Sequence, residues 1–247
     1  MRTAALFLAS LFTTAAMAAE FDHPWKTPET AMVIDAYCEN EIDWKLLATE
    51  PRVVGVIHKA TTGARKVDPK YRSRRLEAKQ LGYLWGSYHL GLAGHPERQA
   101  DYYIKTVQPE PNELIALDLE SLKSKKFMNA SEAIRFIKRV KQRLGRYPVV
   151  YANFRDTAII TEKFRNTEFA NTPLWYANFK DSIRNFPTDL WPSYALWQFS
   201  CEILNQYAIP GTKPDIDVNV FNGSVEDLKA KWPLTRRSPQ STHPSCE

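Results

Sequence analysis

Residues 113–120 read ELIALDLE, an apolar run whose end carries two carboxylates, Asp118 and Glu120, one residue apart. Near-continuous apolar runs of this length are the pattern of strands in a parallel sheet covered on both faces. Seven further runs share its length and its β-branched and aromatic character. They are AMVIDAY (31–37), VVGVIHKAT (53–61), YLWGSYHL (83–90), YPVVYAN (147–153), PLWYANF (173–179), YALWQFS (194–200) and DIDVNVF (215–221). Helical patterns separate several of them, over 68–82, 96–107 and 131–145. In the last, Ser131 is read as the cap, Ile134, Ile137, Val140 and Leu144 form one face, and Gly145 stops the helix. Segments 180–193 and 201–214 are rich in Pro, Asn and Asp and read as loops, and 223–232 reads as a closing helix. Eight strands with helices mainly between the early ones predict an α/β fold, a TIM-like barrel with eight strands and an incomplete set of helices. A doubly wound open sheet competes with it. The lack of a Gly-rich phosphate loop after the first strand argues against that architecture.

The chain has 247 residues, enough for one large domain. At its start, Arg2 precedes an apolar stretch from Ala4 to Phe12 and then Ala16-Met17-Ala18. That layout predicts a signal peptide over 1–18, cut near Ala18, and a secreted or periplasmic protein. The stretch is too short to span a bilayer and no other segment is longer and more apolar, so stable membrane insertion is not expected. The barrel is expected over 19–233 and a polar, flexible tail over 234–247. Loss of Arg2 lowers the formal charge from +5 to +4. A mild positive charge suits anionic wall polymers and is too small to argue for nucleic acid. Of three cysteines, Cys246 lies in the tail, so a disulfide is expected between Cys38 and Cys201, on the view that the first and last strands of a closed barrel are neighbours.

Barrel enzymes carry their chemistry at the C-terminal ends of the strands, and the polar residues of these runs gather there. In order they are Asp35 and Tyr37, His58 and Lys59, Tyr88 and His89, Asp118 and Glu120, Tyr151 and Asn153, Tyr176 and Asn178, and Trp197 and Gln198, with Asp217 in the eighth run. Residues i and i+2 of a strand point to one face, about 6.6 Å apart along the chain, so Asp118 and Glu120 share a face. Repulsion between them favours keeping one protonated, as a general acid for glycoside hydrolysis requires. The same triplet also serves as ordinary capping or salt-bridging carboxylates. His58 and His89 read either as core histidines bonded to backbone or as catalytic groups. A metal site built from Asp35, His58, His89 and Asp217 has no H-x-H or H-E-x-x-H spacing behind it, and no metal or other cofactor is expected. Tyr88, Tyr151, Trp175 and Trp197 either fill the barrel or stack on sugar faces. Lys59 either pairs with a carboxylate or meets substrate.

These residues, in this order, resemble glycoside hydrolase family 25, the Chalaropsis-type lysozymes, from about residue 31 to 232. The shared pieces are VIDAY with Asp35, Ile42-Asp43-Trp44, KATTG (59–63), Asp68 to Tyr71, AKQLGYLWGSYH (78–89), Gln99-Ala100, the D-x-E strand, Val149 to Tyr151, LWYA (174–177), WQFS (197–200), and Pro210-Gly211 followed by Asp215 to Phe221. The resemblance implies an N-acetylmuramidase that cleaves the β-1,4 bond between N-acetylmuramic acid and N-acetylglucosamine in peptidoglycan. It implies Glu120 as acid/base, Asp118 as the partner acting on the substrate's 2-acetamido group, and Asp35 and Asp217 as further acidic residues of the site. Tyr88, Tyr151, Trp175, Gln198 and Lys59 are implied to bind substrate. The chain departs from the pattern at Val33, Tyr37, Thr62 and Leu90, and keeps all four acidic positions. A non-catalytic wall-glycan-binding module and a hydrolase of another N-acetylated glycan such as chitin are the alternatives. Nothing in the sequence specifies an oligomeric state.

Overall fold

The computed structural model describes residues 22–23, 26–187, 189–201, 207–213 and 216–235. The expected signal peptide, Cys246 and the tail beyond residue 235 lie outside these residues. Eight strands form a closed barrel: β1 (Thr30–Ala36), β2 (Val53–Thr62), β3 (Leu84–Leu90), β4 (Leu114–Leu119), β5 (Val149–Asn153), β6 (Leu174–Ala177), β7 (Leu196–Ser200) and β8 (Asp217–Ser224). Each of the eight apolar runs overlaps one of these strands. The first seven pair in parallel in chain order, and β8 closes the ring between β7 and β1.

β8 runs antiparallel to both of its neighbours, where eight parallel strands were expected. A parallel return needs a crossover, usually a helix, to carry the chain back to the far end. The segment after β7 has no described helix, so β8 starts at the end where β7 stops. That segment is pinned beside β1. Thr212–Lys213 pairs with Glu41–Ile42, and the Asp43 N–H donates to the Gly211 carbonyl at 2.7 Å. Gly211 has φ +78°, and a Cβ there would lie 2.5 Å from the Asp43 oxygen, so the turn requires glycine.

Six α-helices are described: α1 (Trp44–Leu47), α2 (Tyr71–Gln80), α3 (Pro96–Val107), α4 (Ala130–Leu144), α5 (Phe154–Lys163) and α6 (Val225–Lys231). Two details differ from expectation. α4 is capped by Asn129, whose side chain accepts from the Glu132 N–H while Glu132 returns to the Asn129 N–H, so Ser131 lies inside the helix. α5 was not foreseen. Its β-branched residues blur the helical period, and its cap, Asn153, is also the last residue of β5.

Side-chain alternation divides the core in two. Ala31, Val33, Ile57, Leu114, Ala116, Val149 and Leu196 fill the barrel. Met32, Ile34, Val56, Ile115, Leu117, Leu119, Val150 and Trp197 face outward beneath the helices and loops. Leu234 is buried with the interior set. The disulfide expected between Cys38 and Cys201 does not join them. Cys38 follows β1 and Cys201 follows β7, and β8 stands between those strands. Two strand spacings are roughly 9.6 Å, beyond the roughly 7 Å that a disulfide spans.

Leu117 is fully buried against the helical layer. Leu117→Ala is expected to lower unfolding free energy by about 2–5 kcal/mol, measured by urea denaturation. A loss under about 1 kcal/mol would contradict the outward packing of the odd-numbered residues of β4.

Candidate active site

At the end of the barrel where the parallel strands finish, the inward rows change from apolar to polar. Ala31 and Val33 lead to Asp35, Leu114 and Ala116 to Asp118, Val149 to Tyr151, and Leu196 to Gln198. β8 contributes in reverse: Asp217 is its first residue and Phe221 lies deeper. Asp217 stands opposite Asp35 in the antiparallel register. The reversal is what places a residue from a strand's beginning at this mouth.

Asp35, Tyr88, Asp118, Glu120, Tyr151, Trp175, Gln198 and Asp217 line one pocket of about 50 Å³. These are eight of the nine expected site residues. Lys59, the ninth, stands at the rim with its ammonium 4.4 Å from the centre of the Tyr37 ring and 5.9 Å from that of Tyr88. Trp175 is 2 % exposed and meets Tyr151 and Tyr88 edge-on at 5.0 and 6.2 Å, so it forms floor rather than an open stacking surface. Trp197 and Tyr176 face outward.

A web of amides holds the acidic residues. The Gln198 Nε2 donates to Asp35 Oδ2 at 2.9 Å and to Asp217 Oδ2 at 3.2 Å, while its Oε1 accepts from the Tyr151 hydroxyl at 2.9 Å. The Asn219 Nδ2 donates to the same Asp35 oxygen at 2.8 Å and to the Val33 carbonyl at 2.9 Å, and its Oδ1 accepts from the Trp175 indole at 2.5 Å. Asn219 was not among the expected site residues. Its signal was available, since it lies two residues after Asp217 and therefore on the same face.

Burial dominates the electrostatics. It pushes the Asp35 carboxyl up to about 6, against the pull of the Asn219 and Gln198 donors. Asp118 is pushed well above the carboxylate range, first by burial and then by the Glu120 charge. Its Oδ1 is buried with no hydrogen-bond partner among the described residues. Glu120 lies just past β4 at the exposed lip. Burial of its carboxyl raises it too, with Lys59 and Lys126 opposing. Repulsion within the D-x-E pair is thus real but secondary to desolvation. A second unforeseen group supports Glu120 from behind. Asp156 Oδ2 accepts from the Asn153 Nδ2 at 2.9 Å and the Leu122 N–H at 3.3 Å, and Asn153 also donates to the Glu120 carbonyl at 3.3 Å.

The two histidines belong to the helical side. The His58 Nδ1 donates to the Lys59 carbonyl at 2.7 Å, and its Nε2 accepts from Arg74 at 2.9 Å. His89 stacks on Phe136 at 5.0 Å, accepts from Thr61 at 2.7 Å and donates to Gln99 at 3.1 Å. Burial lowers both to about 4, so they are neutral core groups at neutral pH. Both face away from Asp35 and Asp217, so the four residues do not form one site.

Comparison with known proteins follows the same lines. Residues 34–208 match the model of Glycosyl hydrolases family 25. The protein YegX of Escherichia coli O6:H1 is 26 % identical over 200 residues, covering 77 % of this chain and 69 % of YegX. The lysozyme of Streptomyces coelicolor superposes with a TM-score of 0.69 at 24 % identity, covering 81 % of this chain and 95 % of that one. The muramidase of Trichobolus zukalii gives 0.65 at 25 % identity, covering 81 % and 97 %.

The elevated Asp35 carboxyl has a consequence for stability. Between its ordinary value of 3.8 and about 6, the folded protein holds a proton that the unfolded chain has released. Stability from this group is therefore full at low pH and falls as pH rises through that window. The stability of Asp35→Asn relative to wild type is expected to climb between about pH 4 and pH 6, by at most about 3 kcal/mol. Urea unfolding of both proteins across that range measures the difference, and a pH-independent difference would refute it.

Proposed function

The chain belongs to glycosyl hydrolases family 25 and is a glycoside hydrolase, and on that premise we propose that it is an N-acetylmuramidase. Its substrate is peptidoglycan, and the bond cut is the β-1,4 link from N-acetylmuramic acid to N-acetylglucosamine. The observation that carries the reading is the orphaned, buried Oδ1 of Asp118 beside the exposed Glu120.

A pocket of about 50 Å³ is far below the roughly 300 Å³ at which ordinary ligand clefts begin. A sugar ring therefore lies across the mouth, and only a small substituent enters. An acetamido group fits that description, and its N–H supplies the donor that Asp118 lacks. A hydrogen bond to the charged form favours ionisation, so substrate binding drives Asp118 toward the carboxylate. The new negative charge then favours the proton on Glu120, which stands at the lip where a glycosidic oxygen would lie. Glu120 protonates the leaving oxygen, and the acetamido carbonyl oxygen, oriented by Asp118, attacks the anomeric carbon from the opposite side. Water then opens that intermediate, with Glu120 as base. Asp35 and Asp217, held by Gln198 and Asn219, keep the mouth acidic around the developing oxocarbenium charge. Lys59 limits the repulsion among the carboxyls. Export through the leader over residues 1–18 would deliver the enzyme to the wall.

Digestion of purified peptidoglycan is expected to release muropeptides with reducing-end N-acetylmuramic acid, identified by mass spectrometry after borohydride reduction. Products ending only in N-acetylglucosamine would remove the assignment, and equal cleavage of chitin oligomers would broaden it to N-acetylated glycans in general. Glu120→Gln should lower turnover by roughly 10²–10⁴-fold while the unfolding midpoint stays near wild type. In wild type the alkaline limb of kcat should lie at higher pH than that of kcat/KM, because bound substrate raises Glu120. In Asp118→Asn the two limbs should coincide, and a persistent gap would exclude the proton coupling.

A further inference from the structure

Beside the catalytic mouth lies a second depression, of about 260 Å³, between the ends of β2 and β3. Its floor is apolar, with Gly63 and Leu92 in close contact. Its walls carry Arg65, Lys66, His95 and Arg98, all exposed. None of the four makes an ion pair among the described residues. The nearby carboxylates are already engaged. Glu132 accepts the Gly94 N–H at 2.7 Å, and Glu97 is held by Arg135 at 2.6 Å. No acidic side chain lines the depression. The result is a small apolar trough edged by Arg65, Lys66 and Arg98, none of them ion-paired among the described residues.

Its position relative to the proposed active site follows from strand register. Thr62, at its inner end, pairs with Leu90, and Leu90 pairs with Asp118. The three residues form one row across neighbouring strands, which puts Thr62 roughly 10 Å from Asp118 at the usual strand spacing. A bulge between Lys59 and Thr61 resets the alternation of β2 just before this point.

We propose that this trough binds the stem peptide of the glycan substrate, a short acidic peptide with small aliphatic side chains attached to the muramyl sugar. The inference rests on the muramidase reading and deepens it. Methyl-sized side chains match a floor of Gly63 and Leu92, and the peptide's carboxylates match Arg65, Lys66 and Arg98. A peptide residue spans about 3.3–3.6 Å, so about three residues reach from the sugar over Asp118 to Thr62 at the inner end of the trough, and the residues that follow run along it. The trough thus makes the enzyme prefer glycan strands that still carry their peptides.

The test compares hydrolysis of peptide-bearing glycan strands with the same strands stripped by an N-acetylmuramoyl-amidase. The variant is Arg65→Ala with Arg98→Ala, both far enough into solvent to spare the fold. On peptide-bearing strands kcat/KM should fall about tenfold, the sum of two exposed ion pairs, and on stripped strands it should stay within about twofold of wild type. An equal loss on both substrates, or none on either, overturns the proposal. If wild type cuts neither substrate, the muramidase reading falls separately. The trough is then judged by titrating the wild-type protein with free stem tetrapeptide and following backbone amide shifts. Shifts centred on residues 63–66 and 92–95 support it, and their absence overturns it.

Discussion

A carboxyl group taken out of water either keeps its proton or finds donors, and this barrel gathers four carboxyls at one mouth. Asp35 finds donors in Gln198 and Asn219. Asp217 shares the first of them. Asp118 is left with an unpaired buried oxygen, and burial pushes its carboxyl well above the carboxylate range. Glu120 stands at the lip, where burial of its carboxyl still raises it and Lys59 and Lys126 oppose the rise. The surrounding structure answers to this arrangement. Tyr151 and Trp175 orient the two amides, Asp156 and Asn153 brace the segment after Glu120, and Lys59 supplies positive charge nearby.

Such an arrangement is stable only because the rest of the barrel is apolar and well covered. Below the mouth, the inward rows are small or branched side chains, and the outward rows pack beneath helices. On the outward face His58 and His89 are neutral and internally satisfied. Among the described residues, unpaired buried polar atoms also occur away from the mouth, at Tyr71, Trp85, Thr161 and Tyr194, but Asp118 is the one carboxyl among them and the one that lines the site pocket.

Strand direction decides which residues join the mouth. No helix is described between β7 and β8, and β8 runs antiparallel to both neighbours, so that its first residue, and not its last, meets Asp35. The same reversal makes Asn219 the second layer beneath Asp35, while the place of β8 between β1 and β7 keeps Cys38 and Cys201 apart.

The number of barrel strands, their limits to within three residues and most of the candidate site were legible in the sequence, because apolar runs mark strands and a period of two assigns each side chain to a face. Asp118 and Glu120 could be placed together from spacing alone. Local spacing carries no information on what lies across the barrel. It did not reveal that burial outweighs repulsion in raising Asp118, that Asn219 bridges Asp35 and Trp175, or that β8 is reversed. It also left both histidines ambiguous, since a polar residue near a strand end looks alike whether it faces a pocket or a helix. Helix α5 was hidden because its cap doubles as a strand residue. Those matters depend on contacts between residues far apart in the chain, such as Asp35 with Gln198 and Asn219. Only closure of the barrel brings such groups within hydrogen-bonding distance and removes the water that would otherwise hold their protons at ordinary values.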